Sequence, residues 1–336
     1  MQKPGSPSIH SMRPVNHIPW NRRQFLGVTT AAALAPAVAP LSLPAANPFT
    51  ALTIIDTHTH YYDPTRPEGV PWPEKTSSLY RKVMPRDYKA LRQPHAVAGT
   101  IVVEASPLVE DNQWILDLAQ NEPFIVGFVG NLNPADANFL THLERFAKNP
   151  ILRGLRVRLP KQLSDGMGQG SFMVGLKRMA ELDLTLDVGG AGNVLPHIPA
   201  LVKKLPTLRL VINHLAGVRV DGRPPDPEWV KAMREAAKGK NVYCKISGLV
   251  EGTGKRDGTA PRDTEFYRPT LDAICEIFGD DRLIYGSNWP VSELYAECGF
   301  VQRIYLDYFH TRPKGALEKV FARNAQAAYK WKARRG

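Results

Sequence analysis

The sequence is poor in cysteine, and this absence narrows the class of protein. Its 336 residues contain only Cys244, Cys275 and Cys298, and none of them belongs to a C-x-x-C pair. A zinc ribbon is therefore excluded, and a disulfide framework is not expected in a chain of this length. Cys244 lies in an apolar strand pattern, which favours a small residue of the core.

The sequence also lacks the glycine motifs that bind phosphate groups. The segment GLVEGTGKRDG at 248–258 has Leu249 at the first glycine position of a P-loop and Arg256 after the lysine. We expect this segment to be a mobile loop after a strand, able to cover the opening of a barrel. DVGGAGN at 187–193 does not fit G-x-G-x-x-G and predicts a tight turn instead.

The sequence between its two ends has little excess of basic residues, although the formal charge of the whole chain is +11. Eight basic residues lie at the two ends: Lys3, Arg13, Arg22, Arg23, Lys330, Lys332, Arg334 and Arg335. Without these eight, 35 of the 43 basic residues remain against 32 acidic residues. Basic residues interleaved with aromatic ones are also lacking, so a nucleic-acid partner is not expected.

Residues 1–47 have the composition of an export signal. NRRQFLGVTTAAALAPAVAPLSLPAA joins two arginines to an alanine-rich run that prolines interrupt, which makes a poor membrane-spanning helix. The R-R-x-F-L order resembles the twin-arginine signal that directs folded proteins to the bacterial periplasm. We therefore expect the twin-arginine export machinery as a partner, with cleavage near Ala45 or Ala46, or after Ala39. The alternative is a chance arginine pair before a disordered linker.

From residue 50 to 336 the pattern predicts a single (β/α)8 TIM barrel. Amphipathic helical stretches alternate with short β-branched runs at a spacing of roughly 25–45 residues, which is typical of βαβ units on a parallel sheet. The eight runs are 52–60, 98–106, 124–132, 152–159, 184–190, 208–217, 241–248 and 282–290. Eight units of this size match the barrel in count and length. A doubly wound open sheet would normally carry a glycine-rich turn after its first strand, and DTHTHYYDP has none.

Polar residues concentrate at the ends of these apolar runs. They are His58, His60, Glu104, Asn131, Arg156, Arg158, Asp187, Asn213, His214, Lys245, Ser247, Ser287 and Asn288. Active sites of this fold form at the carboxyl ends of the strands, and buried polar groups without partners cost about 1–3 kcal/mol each. Side chains two apart on a strand share a face, so His58 and His60 point the same way. Their alternative role is that of a polar strand end without function.

Two further features bear on the site. The proline-rich insert at 61–88 follows the first run, so we expect it to line the pocket, with Trp72 and Tyr61 or Tyr62 as walls. Lys245 follows an apolar run and is either a residue of the rim or a paired charge inside the barrel.

Six motifs in order resemble the amidohydrolase superfamily over about residues 52–332. They are DTHTHYYDP, GLRVRL, INHLAG, CKISGL, RLIYGSNWPV and RNAQAAYKW. They look most like the branch that contains sugar-lactone lactonases and pyrone-dicarboxylate lactonase, with decarboxylases as cousins. The resemblance implies that His58 and His60 bind a divalent metal, or hold the substrate directly in metal-free members. It implies further that His214 polarises a carbonyl oxygen or hydrogen-bonds water, and that Arg156 and Arg158 bind substrate carboxylates. The alternative for both arginines is surface salt bridging.

The sequence departs from the pattern of that superfamily at important positions. The eighth motif usually reads G-S-D-W-P, with the Asp as general base, whereas this chain has Asn288, and an amide cannot deprotonate water. Asp187 stands where many metal-dependent members carry His, and no lysine on the fourth run could bridge two metals. We therefore expect at most one metal ion, most simply zinc, held by His58 and His60 with Glu104, Asp187 or His214.

Three answers to the missing base remain open at this point. A metal-bound hydroxide could need little help, Asp187 or Glu104 could act as the base, or the chain could have lost hydrolysis. Lys245 is a separate candidate for a catalytic role. The leading hypothesis is a periplasmic hydrolase that opens the lactone or cyclic ester of a sugar acid or a carboxylated small molecule. The alternatives are a decarboxylase and an exported binding protein without catalysis. The oligomeric state stays open.

Overall fold

The sheet of the barrel contains eight parallel strands within the described residues of a computed structural model, which are 52–157, 160–189 and 192–334. The predicted signal at 1–47, its cleavage sites and Arg158 lie outside them. The strands run in the order β1 to β8, with each strand pairing to the next along the chain. They are β1 (Ile55–Thr59), β2 (Gly99–Val103), β3 (Ile125–Gly130), β4 (Leu152–Val157), β5 (Thr185–Val188), β6 (Arg209–Ile212), β7 (Val242–Lys245) and β8 (Leu283–Ile284).

Backbone hydrogen bonds between the first and last strand regions close this sheet. The amide of Thr57 donates to Tyr285 O at 3.2 Å, and the amide of His60 donates to Trp289 O at 2.9 Å. An open doubly wound sheet has no such contacts between its outer strands. The prediction of a (β/α)8 barrel is confirmed.

Helices follow the strands along the chain and cover the outside of the barrel. The α-helices among the described residues are α1 (Pro85–Lys89), α2 (Asp111–Gln120), α3 (Phe139–Ala147), α4 (Pro160–Gly166), α5 (Gly170–Glu181), α6 (Ile198–Lys204), α7 (Pro227–Ala237), α8 (Arg268–Phe278), α9 (Cys298–His310), α10 (Ala316–Glu318) and α11 (Asn324–Tyr329). Short 3-10 helices add Gly192–His197, His214–Gly217, Glu251–Thr253, Thr264–Tyr267 and Val291–Leu294. None of the helices within the described ranges is long and apolar enough to cross a membrane.

The last helix plugs the amino-terminal end of the barrel. Tyr329 and Ala328 on α11 pack in one cluster with inward-facing strand residues such as Ile101. Thr185, the first residue of β5, donates its hydroxyl hydrogen to Ala328 O at 2.7 Å. The interior of the barrel is open at the other end, at the carboxyl ends of the strands. Cys244 is fully buried, as predicted.

Two loops around the carboxyl ends are well fixed to the body. The insert at 61–88 is closed by a bridge between Tyr62 and Val83, and Arg66 ties it to the body through an ion pair with Asp111 on α2 at 2.8 Å. The segment at 248–258, for which we expect a mobile loop, contains a 3-10 turn at Glu251–Thr253. Its Gly252 amide donates to Gly248 O, and its Gly252 carbonyl accepts from the amide of Val220, both at 2.9 Å. These bonds satisfy the backbone locally, so the first half of the segment is part of the rim.

Candidate active site

A cavity of about 300 Å³ opens at the carboxyl ends of the strands. It is lined by His60, Trp72, Ala105, Arg156, Gly189, His214, Asn288 and Val291. These residues come from the ends of β1, β2, β4, β5, β6 and β8 and from the insert. The cavity therefore lies where active sites of this fold are found, and it has the size of a small-molecule site.

The first strand brings two histidines to one side, as their spacing predicts. The rings of His58 and His60 are 5.0 Å apart between centroids, with His58 fully buried and His60 closer to the cavity. Asp56 supports them from below, because its carboxylate accepts from the amides of His58 at 3.0 Å and Ser287 at 2.9 Å. Only a glycine fits at position 286, next to β1, because a Cβ on Gly286 would lie 2.9 Å from His58 Cβ.

A left-handed turn carries His214 into the site. The φ angles of His214, Leu215 and Ala216 are 54°, 52° and 53°, a conformation that costs L residues energy and concentrates at functional sites. The indole nitrogen of Trp229 donates to Leu215 O at 2.9 Å and holds the turn. Gly248 is needed next to it, because a Cβ there would lie 2.7 Å from His214 Cβ. Strand β6 is consequently shorter than the predicted run at 208–217.

Three imidazoles are thereby gathered at the base of the cavity. The centroids of His58 and His214 are 4.3 Å apart. Burial, together with the positive charges of Arg156 and Lys245, holds the pKa of both His58 and His214 well below its usual value. Both rings are therefore neutral at physiological pH. The hydroxyl of Ser247 lies 2.9 Å from His214 Nδ1 and orients that ring.

His58 is a candidate metal ligand. Both of its ring nitrogens are buried and lack a hydrogen-bond partner in the described part of the chain, which is costly for a polar side chain. Neutral imidazole is a preferred zinc ligand, so the His58–His60 pair suits a zinc ion. Within residues 52–157, 160–189 and 192–334, no group of three or more His, Cys, Asp or Glu side chains already converges as metal ligands do.

Glu104, predicted as a metal ligand, forms an ion pair with Arg156. The guanidinium donates from Nε to Glu104 Oε1 at 2.8 Å and from Nη2 to Glu104 O at 2.9 Å. The two side chains are only 10% and 4% exposed, so the pair is shielded from screening by salt. Arg156 lines the cavity, as predicted from the sequence, and its charge there is offset by the carboxylate.

Asp187 and Lys245, predicted as catalytic, lie below the cavity and do not line it. Lys245 Nζ is 3.0 Å from Asp187 Oδ2, and both side chains are fully buried. The hydroxyl of Tyr329 on α11 donates to the same carboxylate, 2.9 Å from each oxygen. Asp187 is thus held by a cation and a phenol and is not placed to deprotonate water in the cavity. Of the two readings of Lys245, the structure supports the paired charge inside the barrel.

Trp72 forms a wall of the cavity, and Tyr62 packs against it. Its ring lies 5.8 Å from that of His60 and 5.4 Å from that of Tyr62, in edge contacts. Tyr61 is buried with its ring against Trp289. The wall expected from Tyr61 or Tyr62 is therefore supplied by the tryptophan.

Asn288 contacts two side chains, one of which the sequence did not single out. Its φ of 59° turns the residue at the end of β8, and left-handed backbone is tolerated better by Asn than by most residues. Asn288 Oδ1 lies 3.3 Å from His60 Nε2, and Nδ2 donates to Glu251 Oε1 at 2.8 Å. Burial raises the pKa of Glu251 to about 7. The only signal for Glu251 in the sequence was an acidic residue in a glycine-rich loop after a strand that ends in polar residues.

The profile of the Amidohydrolase family matches residues 55–331. An L-fucono-1,5-lactonase of Burkholderia ambifaria is 32% identical over 248 residues, which cover 73% of this chain and 83% of that protein. A crystal structure of a Burkholderia multivorans amidohydrolase with bound Zn covers 83% of this chain and 100% of its own, with 25% identity and a TM-score of 0.73. A 5-carboxyvanillate decarboxylase of Sphingomonas paucimobilis shares the fold at 12% identity and a TM-score of 0.56.

Proposed function

The chain belongs to the Amidohydrolase family, and on this premise we propose that it is a lactonase that opens the ring ester of a sugar acid. Water attacks the ring carbonyl, the ring C–O bond breaks, and the open hydroxy acid is released. The observation that carries this proposal is the cluster of His58, His60 and His214 at the base of the cavity, with Asn288 beside it. The similarity to an L-fucono-1,5-lactonase supports the same reaction class.

The chain's own residues orient the two reactants. With Ser247 donating to Nδ1 of His214, the other ring nitrogen carries the proton and donates to the carbonyl oxygen, where negative charge develops. Asn288 Oδ1 accepts a hydrogen bond from the attacking water and aims it, although an amide cannot take the proton. A divalent cation held by His58 and His60 would supply Lewis-acid chemistry and lower the pKa of water.

The charges around the cavity favour an uncharged substrate. Among the described residues that line the cavity, Arg156 is the only cation, and Glu104 neutralises it. A substrate carboxylate would have to compete with Glu104 for the guanidinium. The hydroxyl groups of a neutral sugar lactone can share the same donors without breaking the pair. We therefore favour a neutral aldonolactone over a carboxylated pyrone.

A panel of substrates tests the reaction and separates it from the two alternatives. Ring opening of neutral six- and five-membered sugar lactones is followed by proton release, and the same protein is assayed for carbon dioxide release from aromatic acids. Lactone turnover without gas release is expected. Gas release without ring opening would assign a decarboxylase, and ligand binding without either reaction would assign a binding protein.

We infer further that residues 1–47 direct export to the periplasm. The arginine pair Arg22–Arg23 before an uncharged alanine-rich run supports this inference. Export in the folded state would allow a metal ion to be loaded before transport. Expression of the full chain in a bacterium, with Arg22→Lys and Arg23→Lys together as the matched variant, should move the protein from periplasm to cytoplasm. Equal distribution of both proteins would contradict the inference.

A further inference from the structure

The amide of Asn288, after β8, contacts the carboxylate of Glu251 in the turn after β7. We propose that Glu251 is a positioning residue: its ionised carboxylate fixes the side-chain amide of Asn288 so that Oδ1 faces His60 and the attacking water. The inference rests on the proposed function, because it concerns how water is oriented in that reaction. No proton is transferred through the amide. Glu251 determines which end of the Asn288 side-chain amide faces the cavity.

The two contacts of Asn288 set the geometry. Nδ2 donates to Glu251 Oε1 at 2.8 Å, while Oδ1 lies 3.3 Å from His60 Nε2. The partners are held independently of each other. His60 Nδ1 lies 2.9 Å from Val103 O, and Glu251 begins the 3-10 turn anchored by the Gly252–Gly248 hydrogen bond. The amide therefore sits between two fixed groups, and rotation about its last bond is the freedom that remains.

The protonation of Glu251 determines that rotation. An ionised carboxylate only accepts hydrogen bonds, so it must face the NH2 end of the amide and turn Oδ1 to His60. A protonated carboxyl can donate to Oδ1, which allows the amide to turn round and place its NH2 near His60 Nε2. Two states of the amide are thus linked to two states of the carboxyl group.

The surroundings of Glu251 bring the pKa of its carboxyl group into the neutral range. It forms no ion pair with a described residue, and Oε2 is buried without a partner. The titratable groups that face it are the phenols of Tyr267 and Tyr305, and both donate elsewhere, to Pro261 O and Ile246 O respectively. Burial, opposed only by the hydrogen bond from Asn288 and a backbone hydrogen bond, raises the pKa of this carboxyl to about 7. A carboxylate with a cation beside it would remain ionised and could not switch.

The consequence is a pH response in a site whose central residue does not titrate. Below the pKa of Glu251, the protonated carboxyl no longer fixes the amide, and Oδ1 of Asn288 is not held towards the attacking water. Above that pKa, the carboxylate fixes the amide, and Oδ1 accepts a hydrogen bond from water. Lactone turnover should therefore show an acid limb in kcat, whereas KM changes little, because the walls that hold the substrate are unaffected.

The first test observes the amide itself and needs no substrate. Full-length protein labelled with ¹⁵N on asparagine is titrated from about pH 5.5 to 8.5, and the Asn288 side-chain signal is assigned by its loss in Asn288→Asp. We expect its shift to follow one titration with a midpoint within about a unit of 7 and to stay flat in Glu251→Gln. A flat response in the wild type would overturn the inference, whatever the protein hydrolyses. The wild-type titration tests the inference even if a variant fails to fold.

The second test uses turnover of a neutral sugar lactone. Glu251→Gln should remove the acid limb and lower kcat above neutral pH roughly 10-fold, with KM within about 3-fold. Glu251→Gln combined with Asn288→Asp, which moves the carboxylate to the cavity, should recover most of the lost kcat and show a new acid limb at lower pH. Glu228→Gln on α7, a side chain that is 84% exposed, is the matched control and should keep the wild-type profile.

An unchanged acid limb in Glu251→Gln, alongside full wild-type turnover, would overturn the inference and leave the lactonase proposal intact. Absence of lactone turnover in the wild type would overturn the lactonase proposal, and the amide titration would still decide on Glu251.

Discussion

Lys245 and Asp187 form an ion pair inside the barrel, with Nζ and Oδ2 3.0 Å apart and neither side chain exposed. Asp187 also accepts from Tyr329, so the pair joins β5 and β7 to the helix that plugs the barrel. Burial lowers the pKa of Lys245, and the neighbouring Asp187 opposes that shift. The ion pair lies in the barrel interior, below the cavity that the histidine side chains line.

The first prediction concerns this pair. Lys245→Met leaves Asp187 buried without its cation and should lower the free energy of unfolding by about 3–5 kcal/mol, whereas Tyr329→Phe should lower it by about 1 kcal/mol. Urea unfolding measures both. Tyr329→Phe should keep wild-type kcat, since the phenol lies below the cavity. Unchanged stability in Lys245→Met, with kcat lost, would restore a catalytic role for the lysine.

The second prediction is a pH dependence of stability. The pKa of Glu251 is raised from 4.5 to about 7 on folding, so the folded state binds more protons between these values. Stability is then fully present below about pH 4.5 and falls as pH rises to 7, by about 3 kcal/mol in total. Glu251→Gln does not titrate, so its unfolding free energy relative to wild type should rise by that amount from about pH 4.5 to 8. Parallel curves for the two proteins would contradict the burial of a carboxyl group with no cation beside it.

The third prediction concerns the Arg156–Glu104 pair. Arg156→Gln leaves Glu104 without its guanidinium and should lower turnover of neutral lactones by about 10-fold or more, mainly through KM. Arg145→Gln removes an equally charged but exposed partner of Glu110 and should change neither constant. If the natural substrate carries a carboxylate, the arginine variant will instead lose anionic lactones selectively and keep neutral ones. The ratio of kcat/KM for a neutral and an anionic lactone distinguishes the two results.

The fourth prediction addresses metal binding at His58. Protein purified without added ions should contain about one zinc per chain, and His58→Ala should contain none. His142→Ala on α3, outside the cavity, should retain the wild-type content. A thermal melt with added zinc gives a second readout, because a ligand that binds only the folded state raises Tm. Equal zinc content in His58→Ala and wild type would contradict metal binding by this pair.

The fold was predictable because its signals are local and repeated. Alternation of apolar runs and amphipathic stretches gave the strand order, and the two-residue spacing of His58 and His60 gave their common side. The pairing of Asp187 with Lys245 and Tyr329 could not be predicted, because a strand pattern shows that a charge is present but not what pairs with it. Their partner Tyr329 lies 142 residues from Asp187. Glu251 escaped notice for the same reason, since its contact with Asn288 spans 37 residues.

The most direct measurement of the central claim is ring opening of neutral sugar lactones by wild-type protein and by His214→Gln, with His142→Gln as the control. Proton release reports each turnover, and the uncatalysed rate in buffer is subtracted. The account predicts catalysed opening of at least one six-membered lactone, a loss of about 100-fold or more in His214→Gln, and wild-type rates in His142→Gln. Lactone opening at equal rates in wild type and His214→Gln, or none above the rate in buffer, would contradict it.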